Sequence, residues 1–114
     1  VRLPRGESAV VDIAKLRDYC LDAEHPRGKH KARVFRSALG LGRGDAELLR
    51  QELLNAASGL DAVRGTSDEF GDRYTLDLKL NRNDRTALVR SAWIILKGDE
   101  APRLTTCFVI LEVD

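Results

Sequence analysis

The hydrophobic period of this chain changes near its midpoint, from a helical repeat of about 3.6 residues to a strand repeat of about 2, and that change limits the folds open to it. Residues 73–80, RYTLDLKL, alternate without a break: Tyr74, Leu76, Leu78 and Leu80 fall on one face, and Thr75, Asp77 and Lys79 on the other. Such a segment reads as an antiparallel strand with one face in a core and one in water. The turn NRND leads into TALVRSAWIIL, which is longer and more apolar, and GDEAPR turns again into LTTCFVILEV. Two hairpins in series make a meander. A weaker strand is expected around Leu60 to Gly65.

The half before residue 60 reads as helices. Asp12 is placed to cap a helix running through Lys15, Leu16, Tyr19 and Cys20, which should end before His25-Pro26 because a residue preceding proline avoids the α region. Arg27-Gly28 continues the turn. A second helix fits Lys31 to Leu39, with Ala32, Phe35 and Leu39 on one stripe and Gly40, Gly42 and Gly44 ending it. Asp45 is the expected N-cap of a third, AELLRQELLNAA, and Gly59 its C-cap. Helices first and strands after imply an α+β class, with N-terminal helices packed on one face of a C-terminal antiparallel meander of three to four strands, in a single domain over residues 1–114.

Bulk charge excludes one class of function. Lys and Arg number 19 against 18 Asp and Glu, a net charge of +1, which is not the overall excess of a protein that binds nucleic acid by charge alone. Any such affinity must come from uneven distribution. The distribution is uneven: residues 25–36 hold Arg27, Lys29, Lys31, Arg33 and Arg36 and no acid. Cys20 and Cys107 form no Cys-x-x-Cys or Cys/His pattern, so buried free thiols are expected rather than zinc or a disulfide. No apolar run is long enough to span a bilayer, and no membrane partner is expected.

Familiar nucleotide and hydrolase motifs are missing: there is no P-loop, no GxGxxG after a strand and no Gly-x-Ser-x-Gly elbow, and GLGRG at 40–44 reads as a plain connection between helices. No metal or organic cofactor is expected. Catalysis in this chain would be built from His, Lys, Arg and hydroxyls. Those groups suit RNA cleavage by the 2′-hydroxyl, which needs two proton transfers and stabilisation of negative charge on the phosphorane. His25, at a helix end before a proline, is the first choice for proton transfer. The competing reading, a helix-end residue that caps carbonyls or faces water, is the one that spacing alone favours. Lys31 opens a helix against its dipole, a small conflict that a functional role would explain. Arg90 interrupts LVRSAWIIL and needs a partner or a site, with Asp77 across the sheet as the ordinary answer. Strict alternation puts Thr105 and Thr106 on opposite faces of the last strand. Trp93 reads as core.

Taken in order, LPRGESAVVDIAKLRDYCLDAEHPRGKHKARVF, FGDRYTLDL and SAWIILKGDEAPRLTTC resemble a bacterial domain family, domain of unknown function 6883. Its recurring features are a leading Leu-Pro, a Lys-Leu-x-x-Tyr helix, His-Pro-x-Gly followed by Lys-Ala and Phe, a Gly before the first long strand, a Trp in the next and Pro-Arg-Leu-x-Thr in the last. That family looks like the barnase–EndoU–colicin–RelE superfold, many of whose members are metal-independent ribonuclease toxins. The resemblance implies catalytic roles for His25, Lys31, Arg103 and Thr106, with Arg27, Lys29, His30, Arg33, Arg73 and Arg90 as substrate-binding residues. It implies RNA as substrate, a small neutralising antitoxin or immunity protein as partner, and a cytoplasmic setting or secretion as the toxic end of a larger protein. The near-neutral charge departs from the basic groove an RNA cutter would gain from. The alternative is a non-enzymatic protein-interaction module of a toxin–antitoxin or phage-derived system, offering the apolar strand CFVILEV to a partner's sheet edge. A small-molecule pocket between helices and sheet has no specific support in the sequence. The deciding question is spatial: whether His25 and Lys31 meet Arg103 and Thr106.

Overall fold

A computed structural model describes residues 1–111. Helix α1 (Ile13–Lys15) starts at Asp12, whose carboxylate accepts the Ala14 amide at 3.0 Å. It does not continue as an α-helix. The chain widens into a π turn over Leu16–Cys20, with the Leu21 N–H donating to the Leu16 carbonyl at 2.8 Å. A π turn carries one residue more than the α ladder allows, and such turns are frequent at functional sites. Here it drives Leu16 and Cys20 fully into the core and leaves Tyr19 half-buried.

Helix α2 (Lys29–Leu39) buries Ala32, Phe35 and Leu39, as the stripe requires, and stops at Gly40, whose φ of +67° is the left-handed cap that glycine takes without strain. Helix α3 (Ala46–Gly59) buries Ala46, Leu49, Leu53, Ala56 and Ala57. Asp45 precedes it, as expected, but its carboxylate does not cap it. The oxygens accept instead from the Gly42 amide at 2.9 Å and the Arg82 guanidinium at 3.0 Å, tying the glycine-rich loop to the sheet. Gly59 is the last residue of α3 rather than its cap, a role that falls to Leu60.

Strands β1 (Val63–Ser67), β2 (Gly71–Arg82), β3 (Arg85–Leu96) and β4 (Arg103–Ile110) form an antiparallel meander in the order β1-β2-β3-β4. The weak strand expected around Leu60 to Gly65 is β1, displaced towards residue 67. Between β2 and β3 the chain turns on Asn83, at φ +54°, a conformation asparagine tolerates. Alternation then sets the two faces. Tyr74, Leu76, Leu78 and Leu80 meet Val89, Trp93, Leu104, Cys107 and Val109 on the inner face, under Leu16, Phe35, Leu39, Leu49 and Leu53 from the helices. Among the described residues one polar side chain, that of Ser91, is buried with them. Ser91 donates to the Leu76 carbonyl at 2.7 Å and accepts the Trp93 indole N–H at 2.9 Å.

The N-terminal segment fixes where the helices sit. Val10 pairs in parallel with Arg103: its N–H donates to the Pro102 carbonyl at 2.9 Å, and the Leu104 N–H donates to its carbonyl at 3.0 Å. This pins Asp12 and α1 beside the free edge of β4. Further along, the β3–β4 register slips: Trp93 faces Leu104 and Ala92 faces Thr106, leaving Thr105 as the extra residue of a bulge.

Ser91→Ala removes the indole's acceptor while keeping the core's shape. It should lower stability by about 1–3 kcal/mol, the usual cost of orphaning a buried donor, read as a shift of the urea midpoint.

Candidate active site

Three elements meet at the β4 edge: the π turn, the turn from His25 to Gly28, and the bulge. His25 closes the turn on itself. Its Nδ1 accepts the backbone N–H groups of both Arg27 and Gly28, each at 3.0 Å. An accepting ring nitrogen carries no proton, so the neutral ring holds its proton on Nε2. The imidazole thus does what an Asn or Asp does at a helix start, and α2 begins at Lys29, two residues before the position the sequence favours. Gly28 is needed because a methyl there would run into the Tyr19 carbonyl oxygen. The turn therefore sits directly on the π turn.

Tyr19 is the centre of the cluster. Its ring meets His25 edge-on, with centroids 5.0 Å apart at 83°. Its hydroxyl accepts from Lys31 Nζ at 3.0 Å. Tyr19 and His25 line a cleft of about 480 Å³ together with Asp12, Lys15, Arg27 and Thr105. Lys31 lines not this cleft but a second, more apolar one of about 340 Å³, with His30, Val34, Phe108 and Val109, and meets the first through the Tyr19 hydroxyl. A cleft of about 500 Å³ across Ala38, Lys79, Leu88 and Ile110 has Lys79 as its one titratable group among the described residues.

Beneath Tyr19 lies Cys20, whose Sγ is 3.8 Å from the Thr106 hydroxyl. Hydrogen bonding from the Cys107 thiol, helped by the Cys107 amide, the Thr106 hydroxyl and the Lys31 charge, outweighs burial and holds the Cys20 thiol down at about 7. The same partnership, with burial, pushes Cys107 up. Both cysteines are free and buried. Among the described residues no group of three or more His, Cys, Asp or Glu is placed to hold a metal ion.

The structure brings together His25 and Lys31, through Tyr19, and adds Thr106 through Cys20. It does not bring in Arg103, whose Nε donates to Asp99 at 3.2 Å on the exposed start of β4. Nor does it bring in Arg73, paired with Asp68, or Arg90, which makes a two-pronged pair with its cross-strand neighbour Asp77 at 2.9 Å. Arg27 lines the first cleft and His30 the second, while Lys29 is half-buried and lines neither, and Arg33 lines a different cleft, of about 380 Å³, with Asp22, Glu24 and Arg36. The expected opposition of Thr105 and Thr106 fails because of the bulge. Thr105 lines the cleft and donates to the Ala92 carbonyl at 3.1 Å, while Thr106 reaches Cys20. The sequence marks Cys20 as a buried free thiol but gives Tyr19 no role beyond its helix; its place in the Lys-Leu-x-x-Tyr motif is the available signal.

Charge pairing is uneven along the chain, and among the described residues Arg2, Lys15, Lys79, Arg85 and Lys97 have no carboxylate partner, scattered singly over the sequence. Arg5, Arg17, Arg43, Arg50, Arg64, Arg73, Arg82, Arg90 and Arg103 each have a carboxylate partner. Arg27, Lys29, Lys31, Arg33 and Arg36 have none among the described residues.

The family described as domain of unknown function DUF6883 matches residues 2–111. This chain belongs to that family. Among solved structures, a chain of the contact-dependent growth inhibition toxin–immunity protein complex from Klebsiella pneumoniae 342 is similar to the DUF6883 domain, with a TM-score of 0.70 and 14% identity, over 89% of this chain and 99% of that one. At that identity the likeness is one of fold. No curated protein matches the chain. Among the described residues no helix is long and apolar enough to cross a membrane.

Two measurements check this description of the DUF6883 site. His25→Ala should cost about 1 kcal/mol through the lost cap, and His25→Asn, which can accept the same amides, should recover most of it. Ultraviolet thiolate absorbance should titrate near pH 7 and lose that step in Cys20→Ser. Because the folded thiol lies below the ordinary range, its contribution to stability is complete above that range and is lost as pH falls through about 7.

Proposed function

We propose that this DUF6883 domain is a toxin-like, metal-independent endoribonuclease that cuts RNA by attack of a 2′-hydroxyl on the adjacent phosphate. The observation that carries the reading is the coincidence of unneutralised charge with the cleft. The chain carries a net charge of only +1 and nine of its arginines are each matched to a carboxylate, yet the basic segment Arg27 to Arg36 forms a run of five unmatched cations beside a cleft lined by the His25 imidazole, the Tyr19 phenol, the Lys15 ammonium and the Thr105 hydroxyl, with Lys31 bonded to that phenol. Unpaired cations are what a polyphosphate backbone recruits, and cations already held by carboxylates contribute little. Lys31 and Arg27 hold the phosphate and stabilise the phosphorane, Thr105 and Thr106 orient it, and His25 offers its Nε2–H to a phosphate oxygen. Lys29, His30 and Arg33 track the neighbouring backbone. Arg103, Arg73 and Arg90, each already ion-paired, stand outside this arrangement.

The shared fold with a chain of a toxin–immunity protein complex supports a toxin-related role and a protein partner that neutralises it. The second reading is a non-enzymatic interaction module. It is favoured by the apolar stretch at the end of β4, where Phe108 and Ile110 are half-buried and Leu111 is exposed.

The test is incubation with single-stranded RNA and with transfer RNA, with chelator present and over a range of salt. Cleavage leaving 2′,3′-cyclic phosphate ends is expected. Lys31→Ala should slow it by about 10²–10³-fold at an unchanged melting temperature. Intact RNA under every condition, together with a stoichiometric protein complex, would support the interaction module; 3′-hydroxyl ends would sink the mechanism.

A further inference from the structure

The ribonuclease reading, on which this inference rests, requires a donor for the proton taken by the departing 5′-oxygen. His25 is a poor fit to that role in its observed setting. Its Nδ1 is occupied by the Arg27 and Gly28 amides, and a proton placed there would face two N–H groups. Its Nε2 is left to donate a hydrogen bond to whatever enters the cleft.

Tyr19 stands beside it with the opposite balance. Its oxygen receives the Lys31 ammonium at 3.0 Å, and its own O–H donates to no acceptor among the described residues. The hydroxyl proton is therefore uncommitted, in a group that lines the same cleft as His25, Arg27 and Thr105. In the π turn Leu16 and Cys20 face the core while Tyr19 is half-buried, and Gly28 lets the basic turn close against the Tyr19 carbonyl and the near edge of its ring. A phenol is a weak acid, and an ammonium in contact with its oxygen favours the phenolate that proton donation leaves behind.

We propose that Tyr19 is the general acid of this site and that Lys31 stabilises its phenolate. As the O2′–P bond forms, the 2′-hydroxyl proton passes to solvent water. The P–O5′ bond breaks with its electron pair on O5′, and Tyr19 Oη gives O5′ its proton. The phenolate stays beside the Lys31 ammonium until water returns the proton, and nothing is oxidised or reduced.

Tyr19→Phe keeps the ring against His25 and removes only the hydroxyl. Its effect is compared on two substrates: an ordinary dinucleotide, and a uridine 3′-(4-nitrophenyl phosphate), whose leaving group departs without a proton. Cleavage of the dinucleotide should fall by about 10²–10³-fold, while the activated ester is cut within about tenfold of the wild-type rate. Circular dichroism and the melting curve confirm that the variant is folded. Equal losses on both substrates would make Tyr19 a positioning residue and overturn the assignment, as would unchanged rates on both. A wild-type domain that cuts neither substrate would instead remove the ribonuclease reading, and the general acid with it.

Discussion

The cleft depends on the chain doubling back between Cys20 and Lys29. A basic helix start is electrostatically unfavourable, because the exposed amides of α2 and the side chains of Lys29, Lys31 and Arg33 carry charge of the same sign. The fold offsets this with an acceptor taken from within the turn, the His25 ring nitrogen, and with a backbone approach open only to glycine at position 28. Those two features seat α2 on the π turn. Lys31, one helical step further on, then reaches Tyr19. Without the seat the same residues would be a solvated basic loop.

Much of the scaffold was legible before any coordinates. The unbroken alternation of RYTLDLKL set the face and register of β2, since a slip of one residue would have turned Tyr74, Leu76, Leu78 and Leu80 to solvent. Asp12 at the start of α1 and Gly40 at the end of α2 announced themselves by chemistry that acts over three or four residues. The π turn, the Thr105 bulge and the early start of α2 did not, because each is decided by a neighbour distant in sequence or by a contact no periodicity encodes. Asp45 shows the same limit: it has the right type for a helix cap, but Arg82 and the Gly42 amide compete for its oxygens and win.

The candidate site was legible in part, and the division has a physical reason. His25 and Lys31 lie close in sequence, so both can reach the one Tyr19 side chain once α2 is seated on the π turn. Arg103 was drawn in by motif alone, and Asp99, four residues before it in the preceding turn, holds it instead. Arg90 found the cross-strand acid that the antiparallel register made available. Tyr19 was hidden because an ordinary helical period places it beside the core stripe, and the Lys-Leu-x-x-Tyr motif that marks it says nothing of its direction. The extra residue of the π turn is what sets its course.

That extra residue is also a point of vulnerability. The segment Leu16–Cys20 holds one residue more than a regular helix would need to connect Asp12 to Leu21. Shortening it by one would restore an ordinary helix, rotate everything before the deletion, and still leave the Cys20 and Leu21 anchors in the core. A relative that had lost one residue here would be expected to keep the architecture while Asp12 and Lys15, on the near side of the deletion, swing away from the wall they share with Tyr19.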